Sequence, residues 1–138
     1  PFATGPEECD STPVNRLTFI DDEEMATPLG IAQAPNGNWY VASVFAPATI
    51  REYDTAGNFV RTIVEPGTGG TPAGLAVGRD GTIYYADLGI VERPDALPGP
   101  GPGEGTVRMV TFDADGNPNP PVIIGQGLTF PDAVTVLE

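Results

Sequence analysis

The sequence predicts an all-β fold built from four-stranded antiparallel sheets, and three observations carry that prediction. The first is an internal repeat. Thr27-Pro28-Leu29-Gly30-Ile31-Ala32, Asn36-Gly37 and Tyr40-Val41-Ala42-Ser43 return 44 positions later as Thr71-Pro72-Ala73-Gly74-Leu75-Ala76, Asp80-Gly81 and Tyr84-Tyr85-Ala86-Asp87. The second is composition. The segments between the Gly turns are rich in β-branched and aromatic residues such as Ile31, Trp39, Ile50, Tyr53, Ile83 and Val107, which suit a pleated, half-buried surface. The third is the absence of helical spacing. With 18 Gly and 16 Pro in 138 residues, a breaker interrupts nearly every ten positions.

Taken in order, residues 15–20 read as an outer strand that precedes the repeat. Residues 29–34 and 38–44 flank Asn36-Gly37, expected as a two-residue hairpin turn because Asn and Gly both accept positive φ. Residues 48–54 join 59–64 across Ala56-Gly57, and 73–78 join 82–87 across Asp80-Gly81. Tyr53-Asp54-Thr55-Ala56-Gly57-Asn58 returns as Phe112-Asp113-Ala114-Asp115-Gly116-Asn117, an offset of 59. The two offsets differ by 15 residues, so the second unit carries an insertion. Its place is 88–105, where Pro94, Pro98, Pro100 and Pro102 alternate with Gly99, Gly101, Gly103 and Gly105. Few ladder donors and no apolar period predict a surface excursion there. Residues 106–113 then pair with 122–124 across Asp115-Gly116. A third copy opens at Phe130-Pro131-Asp132-Ala133 and predicts an inner strand over 130–137. The organisation is therefore 1–26 leading in, units over 27–70 and 71–128, and the start of a further unit over 129–138.

The first strand of each unit is rich in small residues, Gly30, Ala32 and Ala34, then Gly74, Ala76 and Gly78. Small side chains suit innermost strands crowded around the channel of a β-propeller. The phrases Pro-x-Gly-(Ile/Leu)-Ala, (Asn/Asp)-Gly-x-x-Tyr and (Tyr/Phe)-Asp-x-x-Gly-Asn resemble those of NHL-repeat propellers and of the related gluconolactonase-like (SMP-30-like) superfamily. That resemblance covers 27–138 and implies propeller blades. Two blades and two odd strands cannot close a ring. The expectation is an incomplete ring, finished by further blades of a longer polypeptide or by other chains.

The balance of 19 acidic residues against six Arg, with neither Lys nor His, gives a net charge of −13. Nucleic acid and anionic membrane both need clustered cations, so neither is an expected partner. Without His, neither Ser-His-Asp nor His-ligated metal chemistry is possible within these residues, and without Lys there is no Schiff base. Cys9 stands alone and gives no internal disulfide. A Lys-free acidic surface fits an exported, extracellular or periplasmic protein of bacterial type, and apolar runs are strand-sized.

The remaining chemistry rests on carboxylates, Asn, Tyr and Ser. Propeller geometry would bring Thr27, Ser43, Phe45, Thr71, Asp87 and Asp132 to one face around the channel mouth, as a surface for a ligand or partner. Asp21, Asp22, Glu23 and Glu24 would join them and could grip Ca²⁺, which favours several carboxylate oxygens, although the run lacks the spacing and Gly of a dedicated loop. Solvated, idle carboxylates are the plainer reading. The family resemblance implies a divalent-metal ligand at Asp132, since Pro131-Asp132-Ala133 is similar to a Pro-Asp-Gly entry segment. Leu29 and Ala73, at the matching positions, are not ligands. No cofactor is expected, with Ca²⁺ or another divalent cation as the alternative. Trp39, Tyr40, Tyr84 and Tyr85 read as packing between units ahead of a sugar platform. Three functions stay open: a non-catalytic exported propeller serving as a protein-interaction or scaffold module, with 88–105 as either a passive surface loop or a docking arm, a gluconolactonase-like metal-dependent hydrolase with most of its site elsewhere, and a carbohydrate-binding propeller assembled from short chains.

Overall fold

The computed structural model describes residues 18–137, and within them the chain is all-β with no helix. Strands β1 (Pro28–Gln33), β2 (Trp39–Ser43), β3 (Thr49–Tyr53) and β4 (Phe59–Val64) form one antiparallel sheet in chain order. Strands β5 (Pro72–Val77), β6 (Ile83–Asp87), β9 (Gly105–Val110) and β10 (Val122–Leu128) form a second sheet in the order β5-β6-β9-β10. The two sheets repeat one topology, and the second is interrupted between its middle strands.

The four hairpin turns are one residue longer than the two-residue turns expected. In the first, Ala34 N–H donates to the Asn38 carbonyl at 2.8 Å and Gly37 N–H to the Ala34 carbonyl at 2.9 Å. The same pair of bonds recurs at 54–58, 78–82 and 113–117. Only the fourth residue of each loop has positive φ: Gly37 at 90°, Gly57 at 87°, Gly81 at 86° and Gly116 at 80°. This is a type I turn closed by a Gly bulge, which needs one left-handed residue where the two-residue turn needs two. Side chains supply the rest. Asp54 Oδ1 accepts from Ala56 and Asn58 N–H, and Asp113 Oδ1 accepts from Asp115 and Asn117 N–H.

The insertion is more ordered than its composition suggested. It carries a hairpin of its own, β7 (Ile90–Arg93) with β8 (Ala96–Pro100), in register Ile90↔Pro100 and Val91↔Gly99. A two-stranded ribbon has two outer edges, so prolines that lack N–H cost nothing where they face outward. Arg93 Nη2 donates to the Pro100 carbonyl at 2.6 Å and ties the ribbon across. Its root is buried, with Leu88 packed among Val44, Ala73 and Ile90.

Two expected strands are corrected. Residues 131–137 form no strand, although Gly74 N–H donates to the Asp132 carbonyl at 2.8 Å. Phe130 turns the chain at φ 53° and Pro131 has no N–H to give, so the segment lies beside β5 without a ladder. Of the expected strand at 15–20, residues 15–17 lie outside the described residues, and 18–20 are not a strand. Instead the Phe19 carbonyl lies where a Cβ on Gly57 would point.

The core lies between the sheets. Tyr40, Ala42, Ile50, Ile63 and Val64 of the first meet Leu75, Ile83, Tyr85 and Val110 of the second. The opposite face of the first sheet packs Val41 and Tyr53 against Met25 and Ile20 from the lead-in segment. Small residues set the approach of the edge strands β1 and β5. A Cβ on Gly30 would overlap the Ala73 carbonyl oxygen, and a Cβ on Gly74 would overlap the Asp132 carbonyl oxygen. The contact that β1 makes with β5 is thus repeated one unit later.

Candidate functional site

Asp87 ends β6 and is buried, with every acceptor position occupied. Its Oδ1 accepts from Thr71 N–H at 2.8 Å and Gly89 N–H at 3.2 Å. Its Oδ2 accepts from Thr106 Oγ1 at 3.0 Å and Arg108 Nη2 at 2.9 Å. Arg108 Nε donates in turn to Thr106 Oγ1. An ionised carboxylate has about four lone-pair sites, and Asp87 spends four bonds on the protein itself. The local sequence dictates this. Gly70, at φ 72°, lets the loop pass where any side chain would strike the Asp87 carboxylate, and Gly89 allows the hairpin to leave directly above it.

The matching position in the first sheet is Ser43, also buried. Thr27 Oγ1 accepts from Phe45 N–H at 2.6 Å and lies 3.3 Å from Ser43 Oγ. Ser43 Oγ can donate to the Phe45 carbonyl at 3.1 Å. In both sheets the N–H following this position, on Val44 or Leu88, donates to the Thr27 or Thr71 carbonyl at 3.0 Å. Thr27, Ser43 and Phe45 thus share one end of the first sheet, as Thr71 and Asp87 share the matching end of the second. Phe45 is exposed.

The acidic run does not converge. Asp22 Oδ2 accepts from Arg51 Nη1 at 2.8 Å and from Tyr53 OH at 2.7 Å, while Glu24 pairs with Arg51 Nη2. Burial by itself would raise the Asp22 pKa, but the bonds from Tyr53 and Arg51 together hold it below the ordinary carboxylate value. Burial and the same carboxylate push the Tyr53 phenol up. Arg51 also lies over the Phe59 ring, 4.8 Å from its centroid. Asp22 and Glu24 therefore strap the lead-in segment across the first sheet. Among the described residues, no three carboxylates or thiols come together as a metal site. Asp132 is exposed and bonds through its backbone carbonyl to Gly74.

The aromatic residues divide. Tyr40 stacks on Phe112 between the sheets, with centroids 6.4 Å apart and 20° between planes. Tyr85 OH donates to the buried Gly69 carbonyl at 2.9 Å. Trp39 meets Phe19 edge-on. All three serve packing.

Residue types alone did not single out Glu52 and Arg61. Glu52 is buried on β3, its Oε1 accepting from Asn38 Nδ2 and its Oε2 from Arg61 Nε, each at 2.7 Å. Arg61 Nη1 donates to the Gly116 carbonyl at 2.7 Å, joining β4 of the first sheet to a turn of the second. Burial first, then the nearby Glu52 charge, pushes the Tyr40 phenol up to about 12. The available signal was the cross-strand register: Glu52 and Arg61 are direct partners on β3 and β4.

Neither a family model nor a curated protein matches this chain. Among the described residues, no helix is long and apolar enough to cross a membrane.

Proposed function

We propose that this chain is a non-catalytic scaffold of the NHL-like propeller kind, exported from the cell, that binds further blades and protein partners through its sheet faces and its hairpin. The observation that carries the reading is the satisfied state of Asp87. The most enclosed acid of the candidate face spends its four acceptor positions on loops and on Arg108, and keeps none for a substrate or cation. Surface for partners is present elsewhere. Leu29 and Ile31 are exposed on β1, and Leu97 near the hairpin tip is 86% exposed. The repeated contact at Gly30 and Gly74 supports a blade-like stepping of units. The placement outside the cell rests on the Lys-free acidic composition.

A gluconolactonase-like hydrolase is the weaker reading, because Leu29 and Ala73 stand where its other entry-segment ligands belong. One experiment separates the two. Sedimentation velocity of the chain and of Ile31→Glu should show self-association or partner uptake that the charge abolishes. In parallel, Ca²⁺-dependent hydrolysis of a sugar lactone by the purified chain, lost in Asp132→Asn, would overturn the scaffold reading.

A further inference from the structure

The contact between the two sheets has two halves, and the repeat presents each half a second time, uncovered. On β5, Ala73 and Leu75 are buried against the first sheet. Their counterparts 44 positions earlier are Leu29 and Ile31 on β1, exposed at 54% and 55%. They open onto a cleft of about 300 Å³ whose further walls include Phe19, Ile20, Met25 and Val41, all of them uncharged. Met25 and Ile20 of the lead-in segment cover Val41 and Tyr53 and leave Leu29 and Ile31 bare.

The other half is the outer face of the second sheet. Inside the molecule, Tyr40, Ala42 and Ile50 of the first sheet are buried in the cluster that holds Leu75. Repeat and register place Tyr84, Ala86 and Val107 at the same points of the second sheet, and Tyr84 and Val107 remain half-exposed. The strand pairing also exchanges a charge. Tyr40 lies opposite Glu52 and Glu52 opposite Arg61, whereas Tyr84 lies opposite Met109 and Met109 opposite Val122. The ion pair that the internal contact uses to reach Gly116 thus gives way to two apolar side chains on the free face.

Charge and the repeat together say what covers these surfaces. A chain carrying −13 repels its own copies, so two copies meet only through patches without acids, and both halves are such patches. The internal contact shows how the halves fit. Gly30 of β1 comes close to the Ala73 carbonyl, and Gly74 offers the same approach. Residues 131–137 hold that place, with the Asp132 carbonyl over Gly74, and without a ladder they can yield it.

We propose that the cleft at Leu29 and Ile31 receives a second copy of this chain, which covers it with the Tyr84, Met109 and Val122 face of its own second sheet. The proposal rests on the scaffold reading and names its partner. The contact is head-to-tail, so each copy keeps a free half and assembly runs on until a ring closes.

Sedimentation velocity of the full chain should show assembly growing between about 10 μM and about 1 mM, the range of modest interfaces. Raising salt from about 0.05 M to about 0.5 M should strengthen it, because screening removes repulsion while apolar burial is retained. Ile31→Glu and Met109→Glu should each stay monomeric. The second places an acid where the first sheet already carries Glu52, and Val122→Glu, at an exposed position, repeats the test on the same face. Mixed one to one, Ile31→Glu and Met109→Glu should form a heterodimer and stop there, since each supplies the half that the other lacks. Wild type that stays monomeric, variants that assemble as wild type does, or a mixture that fails to pair would each overturn the proposal. A monomeric wild type leaves the scaffold reading open to other partners, whereas lactone hydrolysis lost in Asp132→Asn would overturn that reading whatever the state of assembly.

Discussion

The first and second sheets repeat one strand plan, yet they close the same end with different chemistry. Ser43 and Thr27 close the first with a short cluster of neutral hydrogen bonds to Phe45. Asp87, itself buried, closes the second with an ion pair to the partly buried Arg108 and four bonds in all. The difference follows from what leaves the sheet at that point. After Ser43 a short loop returns at once to β3, whereas after Asp87 the chain departs into a hairpin and comes back at β9. A carboxylate that binds Gly89 at the departure and Thr106 and Arg108 at the return pins both ends of the excursion. The repeat therefore tolerates an insertion where one substitution supplies a clasp.

The largest expected effect tests that clasp directly. Asp87→Ala leaves the partly buried Arg108 without its partner and strips acceptors from Thr71, Gly89 and Thr106, and should cost about 3 kcal/mol of unfolding free energy. Ser43→Ala, its positional equivalent, should cost about 1 kcal/mol, the scale of a neutral hydrogen bond. Urea denaturation of both variants measures the contrast, and equal losses would break the comparison.

A second pair of substitutions compares the contacts between units. Gly30→Ala drives a methyl into the Ala73 backbone between two complete sheets and should cost about 2 kcal/mol, as overpacking does. Gly74→Ala makes the same overlap with Asp132, but the segment over 131–137 has no ladder and can shift. Its cost should be roughly half as large. Thermal unfolding of the two variants ranks them, and the opposite order would show that 131–137 is the more rigid neighbour.

The smallest effect concerns the strap that only the first sheet has. The folded-state pKa of Asp22 is lowered, so its contribution is present above the ordinary carboxylate value and is lost as pH falls through the depressed value. Protonation removes the charge that holds Arg51 and the acceptor that holds Tyr53. Hydrogen exchange at Glu24 and Met25 should therefore quicken below about pH 4 while the second sheet stays protected. Asp22→Asn should abolish the acid step. An acid step that persists in this variant would assign it to Asp54 and Asp113, whose pKa values bonds from Asn58 and Asn117 also lower.

Sequence by itself determined what depends on neighbours along the chain. The four-stranded plan, the Gly at each turn and the small residues of each unit's first strand were legible at 30, 37, 57, 74, 81 and 116, because side-chain alternation and positive φ are local properties. Tertiary structure decided what depends on residues meeting across distance. Asp87 read as a ligand-face candidate until Arg108, 21 positions away, proved to be its partner. Glu52 and Arg61 were not singled out by residue type, and it took the β3–β4 register to pair them and the second sheet to bring the Gly116 carbonyl to Arg61. The Pro/Gly-rich insertion read as an excursion, and the pairing of Ile90 with Pro100 made it a ribbon. Residues 130–137 repeat a strand sequence but form none, since a strand exists only where a neighbouring edge accepts its hydrogen bonds.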